Sequence, residues 1–126
     1  MQNGVRPSGI ILVIIVILSL AIGVTIIDHR RIAKLHEEFS EIKSNDTIRG
    51  TISDIHAEKG ACFLTLKSGN KILIHGSENC LYDNECLDQN LQIGDTLRKN
   101  ESSDTLYIRN RDKNLYFVIG KVINRK

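Results

Sequence analysis

The 126-residue chain has no tryptophan and contains only three phenylalanines and three tyrosines. Because apolar and aromatic side chains line most enclosed ligand pockets, the sequence offers little material for one. It also lacks a Gly-rich nucleotide loop, a Gly-x-Ser-x-Gly elbow and a His-Glu-x-x-His zinc motif. We therefore predict a protein that is not an enzyme and carries no cofactor and no metal.

The sequence also lacks a block of one charge sign. Its formal net charge is +2, and the part from Ser44 onward holds twelve lysines plus arginines against eleven aspartates plus glutamates. Nucleic-acid binders usually gather a basic surplus in one stretch. We therefore expect no nucleic acid among the partners.

One long apolar run stands near the N-terminus. Ile10 to Ile27 holds eighteen residues without a charge, and a helix of that length reaches ~27 Å, close to the ~30 Å bilayer core. The run predicts a tail over residues 1–8 and a transmembrane helix over residues 9–28, with the lipid bilayer as partner. A signal peptide cut after Ala21 or Gly23 is the alternative, but the run continues past both sites, which favours an uncleaved anchor.

The side of the membrane that holds the rest of the chain stays open. Arg30, Arg31 and Lys34 directly follow the run, which by charge bias favours a cytoplasmic C-terminal part. Cys80 and Cys86 enclose five residues and could form a disulfide in an oxidising compartment, leaving Cys62 free. We favour the extracytoplasmic side on this second argument.

Residues 29–45 carry a helical pattern and predict a stalk. One apolar stripe runs along it, and the other faces are charged. The stripe is either a face that packs on the following domain or a seam for self-association, so a second copy or another membrane protein is a candidate partner. The members of this seam are Ile32, Leu35, Phe39 and Ile42.

From residue 46 to residue 126, apolar residues recur at every second position instead of at helical spacing. This pattern predicts an all-β domain. The pattern from Thr47 to His75 predicts a three-stranded antiparallel meander with Gly69 in a tight hairpin loop. Ile55 falls out of phase, which predicts either a bulge or a strand end there. A short helix containing Leu87 and Leu91 follows, capped by Asp83 or Asn84. Further strands then predict a small antiparallel barrel or rolled sheet of five to six strands, OB-like in its order.

The stretch "QIGDTLRKNESSDTLYIRN", from Gln92 to Asn110, raises the question of an active site. Gly94 and Asp95 instead have the pattern of a turn that enters a strand, with the Asp95 side chain capping the turn. Arg98, Lys99 and Glu101 are expected at or near a solvent-exposed hairpin tip. We therefore predict a structural role for this stretch.

Ligand-type side chains recur at His75, Cys80 and Cys86, but their spacing differs from that of structural zinc sites. We predict a single-pass membrane-anchored β-domain that acts as a non-catalytic binding or envelope-accessory module. The alternative is a cofactor or metal carrier, or a redox module, that uses these three residues.

Three segments carry a resemblance to a family of small bacterial membrane proteins with no established activity. They are Gly60–Ile74, Ile93–Ile108 and Tyr116–Asn124, and the second has the form Gly-Asp-x-x-x-Lys followed by Asp-Thr-Leu-Tyr-Ile. The resemblance implies one N-terminal span, a short helix and a β-domain. It also implies a bacterial origin, and it carries over no activity or site residue.

Overall fold

The computed structural model describes residues 6–126, which form two compact units divided after Leu35. The first helix, α1, runs from Pro7 to Glu38, so its last turn belongs to the second unit. Proline is well suited to the first helical position because its missing N–H has no partner there in any case. The first five residues of the tail predicted over residues 1–8 lie outside the described residues.

The first unit consists of α1 up to Leu35, and its apolar side chains are exposed. Ile10 to Ile27 contains no buried residue, and Leu20 and Val24 are each 66% exposed. Within residues 6–126, α1 is the one helix long and apolar enough to cross a membrane. Apolar exposure on this scale is typical of a surface covered by lipid or protein.

The second unit, from His36 onward, is a β-domain with one short helix. Its strands are β1 (Ser40–Glu41), β2 (Ile48–Glu58), β3 (Ala61–Leu66), β4 (Lys71–Ile74), β5 (Glu78–Asn79), β6 (Thr96–Lys99), β7 (Thr105–Asn110), β8 (Lys113–Val118) and β9 (Val122–Ile123). The helix α2 (Leu87–Asn90) stands between β5 and β6.

Seven strands form one mostly antiparallel sheet in the order β1-β4-β3-β2-β6-β7-β8, and β5 pairs with β9 in parallel. The predicted meander is confirmed as β2-β3-β4, and Gly69 occupies its tight turn with φ 92°. The two edge strands, β1 and β8, do not pair with each other among the described residues. The sheet is therefore not closed into a barrel, and the predicted OB-like fold is not confirmed.

Strand β2 belongs to both halves of the sheet. Residues Ile48 to Thr51 pair with β6, and Ile52 to Glu58 pair with β3. The register shifts between Ile52 and Asp54 while β2 continues to Glu58, so a bulge rather than a strand end breaks the alternation. A bulge bends and twists the strand that carries it, so one chain segment can turn from one neighbour to the other.

One face of the sheet holds the core. Alternate residues of β2, β3, β4, β6, β7 and β8 point into it, and α2 covers it with Leu87 and the adjoining Leu91. The buried members from the strands are Ile48, Ile52, Cys62, Leu64, Leu66, Ile72, Ile74, Leu97, Leu106, Ile108 and Phe117. Gly50 shares this face because a Cβ there would lie 3.1 Å from Leu66 Cδ1.

Two helix predictions were wrong in their bounds. The stalk helix ends at Glu38 rather than at residue 45, since Phe39 leaves the helix and is buried beside the Phe63 ring, 5.4 Å between centroids. Burying the large Phe39 ring is favourable, and it takes the place of the helical turns predicted after Glu38. The short helix begins at Leu87, with Cys86 rather than Asp83 or Asn84 in the cap position and no side-chain cap.

Lys99 also departs from its prediction as a water-exposed tip residue, because its side chain is completely buried. Its Nζ donates to the carbonyl oxygens of Ser44 (2.9 Å), Asn100 (3.2 Å) and Asp46. Buried charges persist only where hydrogen bonds replace water, and three carbonyls do so here. Lys99 therefore fastens the segment after α1 to strand β6.

We expect Lys99→Met to destabilise the domain by about 2–4 kcal/mol, because it leaves buried carbonyls without a donor. Denaturant unfolding of the full chain in detergent micelles, followed by circular dichroism, measures the effect. Arg98→Met is the matched control on the neighbouring exposed position, where we expect a change of at most about 0.5 kcal/mol. Equal stability of the two variants would contradict the role given to Lys99.

Candidate anion-binding site

The face of the sheet opposite the core carries the most distinctive cluster of polar side chains. Alternation in β6 and β7 buries Leu97, Leu106 and Ile108, so the residues between them point outward. Direct pairing then joins outward residues of four strands into two rows. The first row is Arg49, Arg98, Tyr107 and Tyr116, and the second is Thr51, Thr96, Arg109 and Asn114.

A pocket of about 400 Å³ lies on this face across β6, β7 and β8. Five side chains line it, and we call it the arginine pocket: Thr96, Arg98, Tyr107, Arg109 and Asn114. All five carry hydrogen-bond donors, and the two guanidinium groups only donate. The pocket is therefore rich in donors and positive in charge.

Arg98 is held in place by its neighbours. Its guanidinium carbon lies 5.4 Å from the centroid of the Tyr107 ring, a cation–π contact across the β6–β7 pair. On its other side Arg49 lies directly opposite it on β2. Like charges in opposite positions repel, so this arrangement costs free energy unless an anion lies nearby.

Within residues 6–126, no carboxylate lies within ion-pair distance of Arg98 or Arg109. Other bases of the same domain do have acidic partners, such as Lys71 with Glu38 and Lys113 with Asp95. Arginine suits planar, bidentate recognition of carboxylate and phosphate groups. The arginine pocket can therefore bind an anionic group supplied by another molecule.

The alternative cluster of His75, Cys80 and Cys86 is not assembled as a metal site. No group of three or more His, Cys, Asp or Glu side chains able to hold a metal occurs in the described part of the chain. His75 Nε2 lies 2.7 Å from Glu41 Oε1, whereas the Cys86 thiol donates to Glu78 Oε1 at 3.8 Å. His75 and Cys86 thus have separate carboxylate partners.

All three cysteines are free thiols in the structure, and the Cys80–Cys86 disulfide stays a prediction. Desolvation raises the pKa of Cys80 and of Cys86, and the carboxylates of Glu85 and Glu78, respectively, add to it. Burial, with a smaller contribution from Asp88, raises the pKa of the core residue Cys62 to about 12. Thiolates are the reactive form, so none of the three is an activated nucleophile.

The predicted seam of Ile32, Leu35, Phe39 and Ile42 is not one helical stripe. Ile32 and Leu35 lie on α1 and are partly exposed. Phe39 is buried, and Ile42 packs against the core and donates its N–H to Leu73 at 3.1 Å. Self-association stays a prediction, and its available helical residues are the first two.

Asp95 has the structural role predicted from its turn. Its buried carboxylate accepts hydrogen bonds from the Gln92 N–H (2.9 Å) and from Asn110 Nδ2 (2.8 Å), and it forms an ion pair with Lys113 at 2.6 Å. Gly94 before it has φ 97°, which confirms the predicted unusual backbone angle. With all these partners, Asp95 fastens the start of β6 to the β7–β8 hairpin.

Comparisons with protein-family models, with curated proteins and with solved structures found no match. The arginine pocket was missed at the sequence level, although the alternation around Arg98, Tyr107 and Arg109 places them on the outer face. What the sequence could not supply was the pairing register that brings them together.

We expect Asp95→Ala to destabilise the domain by about 2–4 kcal/mol, because it leaves the mostly buried Lys113 ammonium without its counter-charge. Chemical unfolding of the full chain in micelles measures this loss of stability. Asp112→Ala, on the exposed tip of the same β7–β8 hairpin, is the control and should change stability by less than about 0.5 kcal/mol. A neutral effect of Asp95→Ala would contradict this account.

In the reduced full chain at about pH 8, we expect a thiol reagent to modify Cys80 and Cys86 but not Cys62, because a raised pKa and burial keep that thiol protonated and covered. Mass spectrometry before and after unfolding counts the labels. Because its pKa rises from 9.0 to about 12 on folding, Cys62 contributes stability that is present below about pH 9 and lost as the pH rises towards 12. Labelling of native Cys62 would show that the core is open.

Proposed function

We propose that this chain is a single-pass membrane protein whose β-domain binds an anionic ligand at the arginine pocket and carries out no reaction on it. The observation that carries the proposal is the pair of guanidinium groups, Arg98 and Arg109, which face solvent among neutral donors with no acidic partner in the described chain. Fixed cations without counter-charges are typical of sites whose counter-charge arrives with a ligand.

The chemistry of the pocket supports binding rather than catalysis. None of its five lining side chains is a carboxylate, an imidazole or a thiol. Arginine stays protonated at all physiological pH values, so it stabilises negative charge but does not accept a proton. The arrangement suits recognition and retention of a ligand.

The helix α1 supports a membrane anchor, and a bacterial inner membrane is what the resemblance to small bacterial membrane proteins implies. Its length of 32 residues corresponds to about 48 Å, more than the ~30 Å of the hydrocarbon core. An anchored domain of this kind acts as an envelope-accessory module, since it holds its ligand at the membrane surface. The side of the membrane follows from a reporter fused after Lys126.

We expect the intact chain to stay in the membrane fraction after alkaline carbonate extraction, because a helix of this length and apolarity inserts stably. The mass of the extracted protein distinguishes anchor from signal peptide. A soluble product that begins after Ala21 or Gly23 would reject the anchor.

For ligand binding, the full chain in nanodiscs of neutral phosphatidylcholine is titrated calorimetrically with small phosphorylated and carboxylated anions. We expect at least one to bind, with an affinity that falls as salt is added. The double variant Arg98→Gln/Arg109→Gln should lose this binding, whereas Lys121→Gln, an exposed base away from the pocket, should keep it. Failure of every anion to bind would reject the proposed function.

A further inference from the structure

We infer that the arginine pocket selects a phosphate monoester, bound as its dianion between Arg98 and Arg109. The inference rests on the proposed function, because it names the chemical group bound at the same pocket. Three properties of the pocket support it: its charge, its number of donors and its size.

The charge of the pocket fits a dianion better than a monoanion. Two guanidinium groups line it, and each carries a full positive charge. A phosphate monoester carries about −1.5 to −2 charges near neutral pH, whereas a carboxylate carries one. A single phosphate group therefore neutralises both arginines, and one carboxylate leaves an excess of positive charge.

The positions of the two arginines allow them to share one group. Arg98 on β6 is paired with Tyr107 on β7, and Arg109 is two residues further along β7. Such diagonal neighbours on adjacent strands lie about 7–8 Å apart, within reach of long side chains. The cation–π contact with Tyr107 restricts the movement of the Arg98 guanidinium while Arg98 lines the pocket.

The number of donors fits a group with many acceptor atoms. Thr96, Tyr107 and Asn114 add neutral donors to those of the arginines. A phosphate monoester offers three strong acceptor oxygens, one more than a carboxylate. The third oxygen has a partner in this pocket and would have none in a simple bidentate arginine site.

The size of the pocket and the charge of its surroundings argue against a polymer. A volume of about 400 Å³ is near the lower end of the range for small-molecule sites, about 300–1,000 Å³. Nucleic acids need a longer basic track that neutralises several phosphates. The arginine pocket instead fits one phosphate and a small group attached to it, either a soluble molecule or a lipid headgroup.

The test uses the full chain in phosphatidylcholine nanodiscs, with glycerol phosphate and succinate as probes of similar total charge. We expect glycerol phosphate to bind at least about tenfold more tightly than succinate. Arg98→Gln and Arg109→Gln should each weaken it about tenfold or more, the usual effect of one charge-assisted hydrogen bond. Lys121→Gln, which removes an exposed base away from the pocket, should change the affinity less than about threefold. Circular dichroism melting establishes that each variant is folded.

The affinity should also fall as the pH is lowered from about 8 to about 5, because the second phosphate pKa is about 6 and the dianion is lost. Nanodiscs that contain phosphatidic acid, a lipid phosphate monoester, distinguish the two sources. If phosphatidic acid in the discs weakens the binding of glycerol phosphate, the lipid headgroup competes for the pocket and is the ligand. If the affinity for glycerol phosphate is the same in both kinds of disc, the ligand is a soluble molecule. Both results support the phosphate dianion.

Tighter binding of succinate than of glycerol phosphate would overturn the inference while leaving an anion-binding module intact. Displacement of glycerol phosphate by a single-stranded oligonucleotide at lower concentration would overturn it in favour of a polyanion. Binding that is unaffected by Arg98→Gln and Arg109→Gln would instead remove the pocket itself, and with it the proposed function.

Discussion

The double pairing of β2 is the constraint on which the rest of the domain depends. Its first half binds β6 and its second half binds β3, and the bulge between Ile52 and Asp54 separates the two. At this point Ile52 exchanges hydrogen bonds with the turn before β6: its N–H donates to Asp95 O, and its carbonyl accepts from the Gly94 N–H, both at 2.9 Å. The turn thus sets where β6 begins, and from that starting point the register of β6, β7 and β8 follows. The arginine pocket exists only in this register.

The near-neutral composition of the domain conceals a separation of charge by position. Acidic side chains pair with bases at the end of α1, where Glu38 meets Lys71, and at the β7–β8 hairpin, where Asp95 meets Lys113. The outer rows of β2, β6 and β7 keep arginines without such partners among the described residues. Net charge governs long-range attraction of polymers, whereas local charge governs recognition of a small group. The net charge of the domain is therefore a poor guide to the charge at the arginine pocket.

Local patterns predicted the elements well, and failures arose where distant segments meet. The meander, the bulge, the glycine turns and the Asp95 cap depend on neighbouring residues, so period and turn chemistry were sufficient to predict them. Lys99 was misplaced because its carbonyl partners, Ser44 and Asp46, lie more than fifty residues earlier, where the helical pattern ends. Phe39 left that helix for the same reason, because its ring contacts belong to β3. The pocket was missed because the β6–β7 and β7–β8 registers that assemble it are properties of strand pairing that composition does not contain.

Arg98 and Lys99 show how the sheet gives adjacent charges opposite roles. They are neighbours on β6, so their side chains point to opposite faces. Lys99 enters the protein, where its compact ammonium is surrounded by carbonyl oxygens, a geometry that a planar guanidinium does not satisfy as readily. Arg98 faces outward, where its guanidinium carbon lies 5.4 Å from the centroid of the Tyr107 ring and the side chain lines the arginine pocket. Exchange of the two residues would conserve composition and net charge, yet it would place the wrong cation in each environment. The alternation of the strand therefore directs one of two consecutive cations into the fold and the other to the arginine pocket.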